Sequence, residues 1–183
     1  VSPDHASITG KIGEKNGVFI LRGAENGELV QAIAGQGSDG NVFFALHGKA
    51  VVDATKGANQ HFFGGDGRDS FLGGTGSNEF QAGSGAALMD GHLGSSGLFA
   101  GGSGNDTMIG GAGLNIFSGG EGDDSITAAV AGSVSFVDGG DGNEPPASSF
   151  IPGCTRWQGR PAWLWRPRIS GSTSVRRCTR LRR

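Results

Sequence analysis

Cysteine is absent from residues 1–144; the two present, Cys154 and Cys178, both lie near the C-terminus. A disulfide framework or a cysteine zinc site is therefore excluded for most of the chain. This pattern fits a secreted protein stabilised by metal, and also a cytosolic one. No apolar stretch approaches the ~18 residues of a transmembrane helix. The opening VSPDHASITGKIGEKNG lacks the basic start and apolar run of a signal peptide, so none is expected there. The missing initiator Met suggests a mature form or an excised fragment. There is no HExxH, no GxSxG and no phosphate loop, so the usual motifs of metalloproteases, serine hydrolases and nucleotide enzymes are missing. The four histidines, His5, His47, His61 and His92, form no zinc-like cluster and read as surface or loop residues. Helix signals are poor; only Glu28–Ala34 suggests a turn or two.

Basic residues are scarce before residue 145 and acidic ones absent after it. Residues 1–144 hold all 17 acids and six bases, a net charge of −11, whereas 145–183 hold nine arginines and no acid, +9. All three tryptophans, both cysteines and five of the six prolines lie in the second part, and 34 of the 37 glycines in the first. Such a break marks a segment boundary. The tail has no sustained period of 2 or 3.6. Three readings of it compete: a surface for nucleic acid or anionic membrane, a small domain held by Cys154–Cys178, and out-of-frame translation of a high-GC gene. The last is favoured, because it yields Arg, Pro, Trp and Cys without a folding pattern, and no nucleic-acid partner is expected.

What the chain does have is a nine-residue phrase repeated between Gly64 and Thr127. The clearest copies are GGDGRDSFL from Gly64, GGSGNDTMI from Gly101 and GGEGDDSIT from Gly119. GGTGSNEFQ from Gly73 and GGAGLNIFS from Gly110 keep the glycines but carry Asn78 and Asn115 in the sixth place. A fixed short period predicts a stacked, quasi-one-dimensional fold. Glycine at the first, second and fourth places permits positive φ and close approach of turns. Backbone carbonyls and the sixth-place carboxylates Asp69, Asp106 and Asp124 would then make an all-oxygen site, which suits calcium better than zinc or copper. The eighth residue is apolar in every copy (Phe71, Phe80, Met108, Phe117, Ile126) and is expected to point inward from a short strand.

These phrases resemble the RTX (repeat in toxin, hemolysin-type) calcium-binding family, over about Thr55 to Glu144. The resemblance implies an all-β, right-handed parallel β-roll in which two nonapeptides make one coil. Calcium would sit between a turn and the turn two repeats later. It also implies the metal set: the sixth-place acids, with Glu144 as a further member, and the turn residues Gly64, Gly101, Gly102, Ser103, Gly104, Gly119 and Gly120. Asp66, Glu121 and Asp123 are read as added negative field beside the turns.

With two repeats per coil, the turns at Gly64, Ala82, Gly101, Gly119 and Gly139 would stack on one edge. Those at Gly73, near Gly91 and at Gly110 would stack on the other. Every sixth-place acid then falls in the first column (Asp69, Ala87, Asp106, Asp124, Glu144), and the second holds Asn78, Ser96 or Gly97, and Asn115. Calcium is expected mainly along the first edge, best between the turns at Gly101 and Gly119. Ala87 should weaken the neighbouring site, and Asn should bind more weakly than Asp, since ligand charge helps set affinity. The stretch Ala82–Ala100 carries one inserted residue and reads either as a coil that keeps its core and loses its metal or as a loop leaving the roll.

The expected organisation is a β-rich N-terminal cap or degenerate coils (1–54), the calcium-binding roll (55–144) and a basic, irregular tail (145–183). AGQGSDGNVFF at Ala34 echoes the phrase with Asp39 in the sixth place, although its apolar slot is displaced by one. Phe62 fills that slot in TKGANQHFF, so a metal-free coil is expected before Gly64.

The function expected is a non-catalytic calcium-binding module of a secreted protein that folds on meeting extracellular calcium, with a cell surface or polysaccharide as the further partner class. The alternative is an accessory fragment of a missing enzyme or toxin domain. RTX resemblance implies type I export, but the arginine cluster from Arg176 to Arg183 departs from the family's C-terminal signal.

Overall fold

In the computed structural model, residues 7–12, 15–22, 29–34, 36–127, 133–141 and 155–159 are described. They form fifteen β-strands in two parallel sheets. One sheet holds β1 (Ser7–Ile12), β3 (Leu29–Ala34), β5 (Lys49–Asp53), β7 (Asp69–Leu72), β9 (Ala87–Asp90), β11 (Thr107–Ile109) and β13 (Ser125–Thr127), in that order. The other runs from β2 (Val18–Leu21) through β4 (Val42–Ala45), β6 (His61–Phe63), β8 (Ser77–Gln81), β10 (Ser96–Gly102) and β12 (Leu114–Gly120) to β14 (Val134–Gly140) and β15 (Thr155–Gly159).

Odd and even strands thus alternate between the sheets, and the chain winds as a β-solenoid, a parallel β-roll. Parallel neighbours ordinarily need a long crossover. Here the crossover is a strand of the opposite sheet and its two glycine turns. Asp69 pairs with Ala87 and Met108 with Ile126, so one coil is 18 residues, or two nine-residue phrases. Among the described residues no helix is long and apolar enough to cross a membrane.

Strands this short leave one face for the core. Alternation along each strand turns its apolar residue inward and its neighbours outward. On the even sheet Phe19, Phe43, Phe62, Phe80, Phe99 and Phe117 stack in one file, ring centroids 4.6–5.5 Å apart. That spacing is close to the ~4.8 Å between strands, so successive coils deliver rings already in stacking contact. On the odd sheet Val52, Phe71, Met89, Met108 and Ile126 line up opposite and are buried. Burying each such side chain contributes roughly 1.5–3 kcal/mol.

The stretch Ala82–Ala100 is a coil of the roll rather than a departing loop. Met89 and Phe99 are fully buried, and β9 and β10 pair on both sides. Strands β1 to β5 stack into the same two sheets as the later coils. Strand β15, within the basic tail, pairs parallel with β14; the tail's remaining residues, Cys154 and Cys178 among them, lie outside the described residues. The outer face of β10, β12 and β14 exposes Leu98, Ile116 and Phe136 in one register row and Leu114 and Val134 in another.

Candidate metal centre

The residue two places before each inward apolar side chain shares its face of the strand, and so also points inward. On the odd sheet that position is Asp69, Ala87, Asp106 and Asp124 on successive coils, as the register Asp69↔Ala87, Thr107↔Leu88 and Thr107↔Ser125 requires. The three aspartates are 4 %, 1 % and 1 % exposed, unusual for carboxylates and costly without compensation.

Part of the compensation comes from the neighbouring coil. Oδ1 of Asp69 accepts from the N–H of Ala50 at 3.0 Å, Oδ1 of Asp106 from Ala87 at 2.7 Å, and Oδ1 of Asp124 from Asp106 at 2.9 Å. The second oxygens differ. Oδ2 of Asp69 accepts from Gly65 in its own turn at 3.0 Å. Oδ2 of Asp106 is buried and has no hydrogen-bond partner among the described residues.

Burial pushes the Asp106 carboxyl up to about 7; the bond from Ala87 opposes this and the Asp124 charge adds to it. Burial also raises Asp69, against the bonds from Gly65 and Ala50 and with a smaller push from Asp66. Burial without full compensation disfavours the bare charge, and a cation at the unbonded oxygen would supply that compensation in place of a proton.

Glycine makes room there. A Cβ on Gly101 would fall against the carbonyl oxygen of Gly119 and 2.6 Å from Oδ2 of Asp106. One on Gly119 would strike the Gly139 carbonyl and Oδ2 of Asp124; one on Gly64, the Ala82 carbonyl and, at 2.9 Å, Oδ2 of Asp69. At each turn, then, a carboxylate oxygen and a carbonyl oxygen of the next coil converge beside a glycine that leaves the space open. Gly102 and Gly120 follow at φ +99° and +97°, which reverse the chain tightly and are strained for any side chain.

Across the roll the equivalent inward column is neutral: Asn41, Gln60, Asn78, Gly97, Asn115 and Ser135. The polar members are all buried. The register places Asn41 in this column and leaves Asp39, read from sequence as the sixth-place residue, outside it. Phe43 sets the inward face, and the residue two before it is Asn41. Asp39 instead accepts a bond from Asn59 Nδ2 at 2.8 Å.

The other sequence candidates lie around the aspartate edge. Asp66 is exposed and bonded to His47 Nδ1 at 2.9 Å, and this contact holds its carboxyl below the usual range. Ser103, Glu121 and Asp123 are exposed in the turns. The Gly102 carbonyl accepts the Glu121 N–H at 2.8 Å, leaving one lone pair. Glu144 lies outside the described residues, as does His5. His61 is half-buried and His92, like His47, is exposed; the two meet carboxylates, Glu79 at 2.9 Å and Asp90 at 2.6 Å. Among the described residues no three His, Cys, Asp or Glu side chains converge on one point. A cation here must therefore take most of its ligands from the backbone, as oxygen-rich calcium sites do.

Residues 57–97 and 99–129 match the family model of the RTX calcium-binding nonapeptide repeat, in four copies. No curated protein and no solved structure matches the chain. The central coils are thus an array of RTX repeats, and calcium is the ion these repeats bind.

Proposed function

We propose, from the premise that residues 57–129 form an RTX calcium-binding array, that this chain is a non-catalytic module exported unfolded and ordered by calcium outside the cell. The ions lie along the aspartate edge. The best-formed position is between the turns at Gly101 and Gly119, where Asp106 Oδ2 and the Gly119 carbonyl are the central ligands. Asp124 and the carbonyls of Gly101, Gly102, Gly104 and Gly120, with Ser103, complete the candidate set. The observation that carries this reading is the buried Oδ2 of Asp106, which accepts no hydrogen bond from any described residue.

The position beside Asp69 is weaker. Both oxygens of Asp69 already accept backbone N–H groups, and the next residue in the column is Ala87. Asp66, Glu121 and Asp123 act at a distance, as negative field that attracts the ion.

Calcium orders the roll because glycine-rich turns are costly to fix, at on the order of 1–2 kcal/mol of backbone entropy per residue. Its binding free energy becomes folding free energy. Extracellular calcium modules bind at roughly 10⁻⁴–10⁻³ M, so the chain stays open in a low-calcium cytoplasm and closes after export. The test is calcium bound per chain at saturation in Asp106→Ala. Loss of at least one ion is expected; an unchanged count contradicts the assignment.

A further inference from the structure

The neutral column opposite the aspartates is not an idle copy of the calcium edge. Each of its amide nitrogens donates to an oxygen of a turn. Asn41 Nδ2 donates to Ser38 Oγ at 2.8 Å, and Gln60 Nε2 to the carbonyls of Ala58 and Ser38 at 2.6 and 3.2 Å. Asn78 Nδ2 donates to the Gly74 carbonyl at 2.7 Å, and Asn115 Nδ2 to the carbonyls of Gly111 and Gly113 at 2.9 and 3.2 Å.

The oxygens of the three asparagines accept, whereas Gln60 Oε1 is buried with no hydrogen-bond partner among the described residues. Asn41 Oδ1 takes the Gly17 N–H at 2.8 Å, Asn78 Oδ1 the Gln60 N–H at 3.1 Å, and Asn115 Oδ1 the Gly111 N–H at 3.2 Å. Backbone N–H groups can only donate and carbonyls only accept, so these partners fix the orientation of each amide.

Gly74 and Gly111 are the second glycines of their phrases, and Gly113 the fourth of its phrase: the turn carbonyls a cation would otherwise gather. We propose that the amide NH2 groups stand in for the ion on this edge. Asn78 and Asn115 each clasp a turn by directing N–H donors at its carbonyls, and each holds shut a latent calcium position that a carboxylate at the same place would open. An aspartate there would set its oxygens against those carbonyls, and a cation between them is what relieves the repulsion. The roll would then have one edge closed by metal and one closed by its own side chains.

This inference rests on the aspartate edge being the calcium edge. Its test compares the full chain at saturating calcium with Asn78→Ala, Asn115→Ala, Asn115→Asp and Asn78→Asp, with Asp106→Ala as reference. Bound calcium is counted by equilibrium dialysis, and thermal unfolding is followed in parallel. The alanine variants should keep the wild-type calcium count and melt several degrees lower, because buried turn carbonyls lose their donors. At least one aspartate variant should bind one calcium more per chain.

A lower count in either alanine variant makes the amide a ligand and overturns the clasp, as does an unchanged melting point in both. Two folded aspartate variants that gain no ion overturn the latent site, and so does failure of both to fold at saturating calcium. An unchanged count in Asp106→Ala alone strikes the aspartate-edge reading and leaves the alanine comparison intact.

Discussion

Asp124 Oδ1 accepts a 2.9 Å hydrogen bond from the backbone N–H of Asp106, so two carboxylates occupy consecutive rungs of one buried column. Rungs of a parallel sheet are about 4.8 Å apart. At that distance and this burial the two charges repel, which helps raise the Asp106 carboxyl. A divalent ion bound at this column would offset that repulsion, with Asp106 and Asp124 as the residues that would hold it. Four expectations follow from this column and its surroundings.

The pH dependence has a definite sign. The carboxyl of Asp106 is pushed up to about 7 in the folded chain, from an ordinary 3.8. Between these values the metal-free folded state holds a proton that the unfolded chain has released. The stability this group contributes is therefore complete below about pH 4 and is lost as pH rises through about 7. Chelated protein followed by circular dichroism should keep its β signal best at low pH and lose it between about pH 4 and 7, so that it is largely unordered by neutrality. A chelated chain that gains structure over that range contradicts the assignment.

Gly101→Ala should cost the chain its best calcium position. The new methyl group meets the Gly119 carbonyl and Oδ2 of Asp106, and neither backbone nor buried carboxylate can retreat. We expect at least one ion fewer per chain. Gly37→Ala is the matched control: its φ is +82° but none of the described residues lies within 4 Å of an added Cβ, so a penalty on the order of 1 kcal/mol and an unchanged calcium count are expected.

Phe99→Ala should separate the core from the metal. Phe99 lies in the stacked file, 4.8 Å from Phe80 and 4.6 Å from Phe117, and is fully buried. Truncation should destabilise the calcium-loaded roll by roughly 3–5 kcal/mol. Urea unfolding at saturating calcium measures that loss, and the number of ions bound by the folded fraction should not change.

Exchanging charge for isosteric neutrality at the column should act through affinity. Asp106→Asn keeps the shape, retains an oxygen for the Ala87 N–H and removes the negative charge. Calcium affinity at that position should fall about tenfold or more, since ligand charge count helps set it. Isothermal titration resolves the change, and wild-type affinity in the variant would show that the carboxylate is not a ligand.

Much of this architecture was legible in the sequence because the repeat writes it twice. The apolar eighth residues gave the inward face, and the two-repeat coil that the RTX resemblance implies separated Asp69, Asp106 and Asp124 from Asn78 and Asn115. Reading failed where the turn departs from GGxGxD. In AGQGSDGNVFF, counting from the glycine points to Asp39, yet the strand obeys Phe43 and brings Asn41 inward. Local turn spelling lost to the core: seating Asp39 at the inward place would bring Asn41 rather than Phe43 to the core position two residues on. The roles of the amides were not legible either. Sequence offers Asn78 and Asn115 as weak oxygen ligands; only the turn carbonyls of Gly74, Gly111 and Gly113 show where their N–H groups go. The pairing of β15 with β14 had no signal in an arginine-rich tail without periodicity.

The most direct measurement is a calcium titration of the whole chain followed by far-ultraviolet circular dichroism, starting from fully chelated protein near neutral pH. The account predicts a largely unordered spectrum that converts cooperatively to β signal at roughly 10⁻⁴–10⁻³ M calcium and reverts on chelation. A β spectrum that is already complete in excess chelator, and that calcium leaves unchanged, contradicts it.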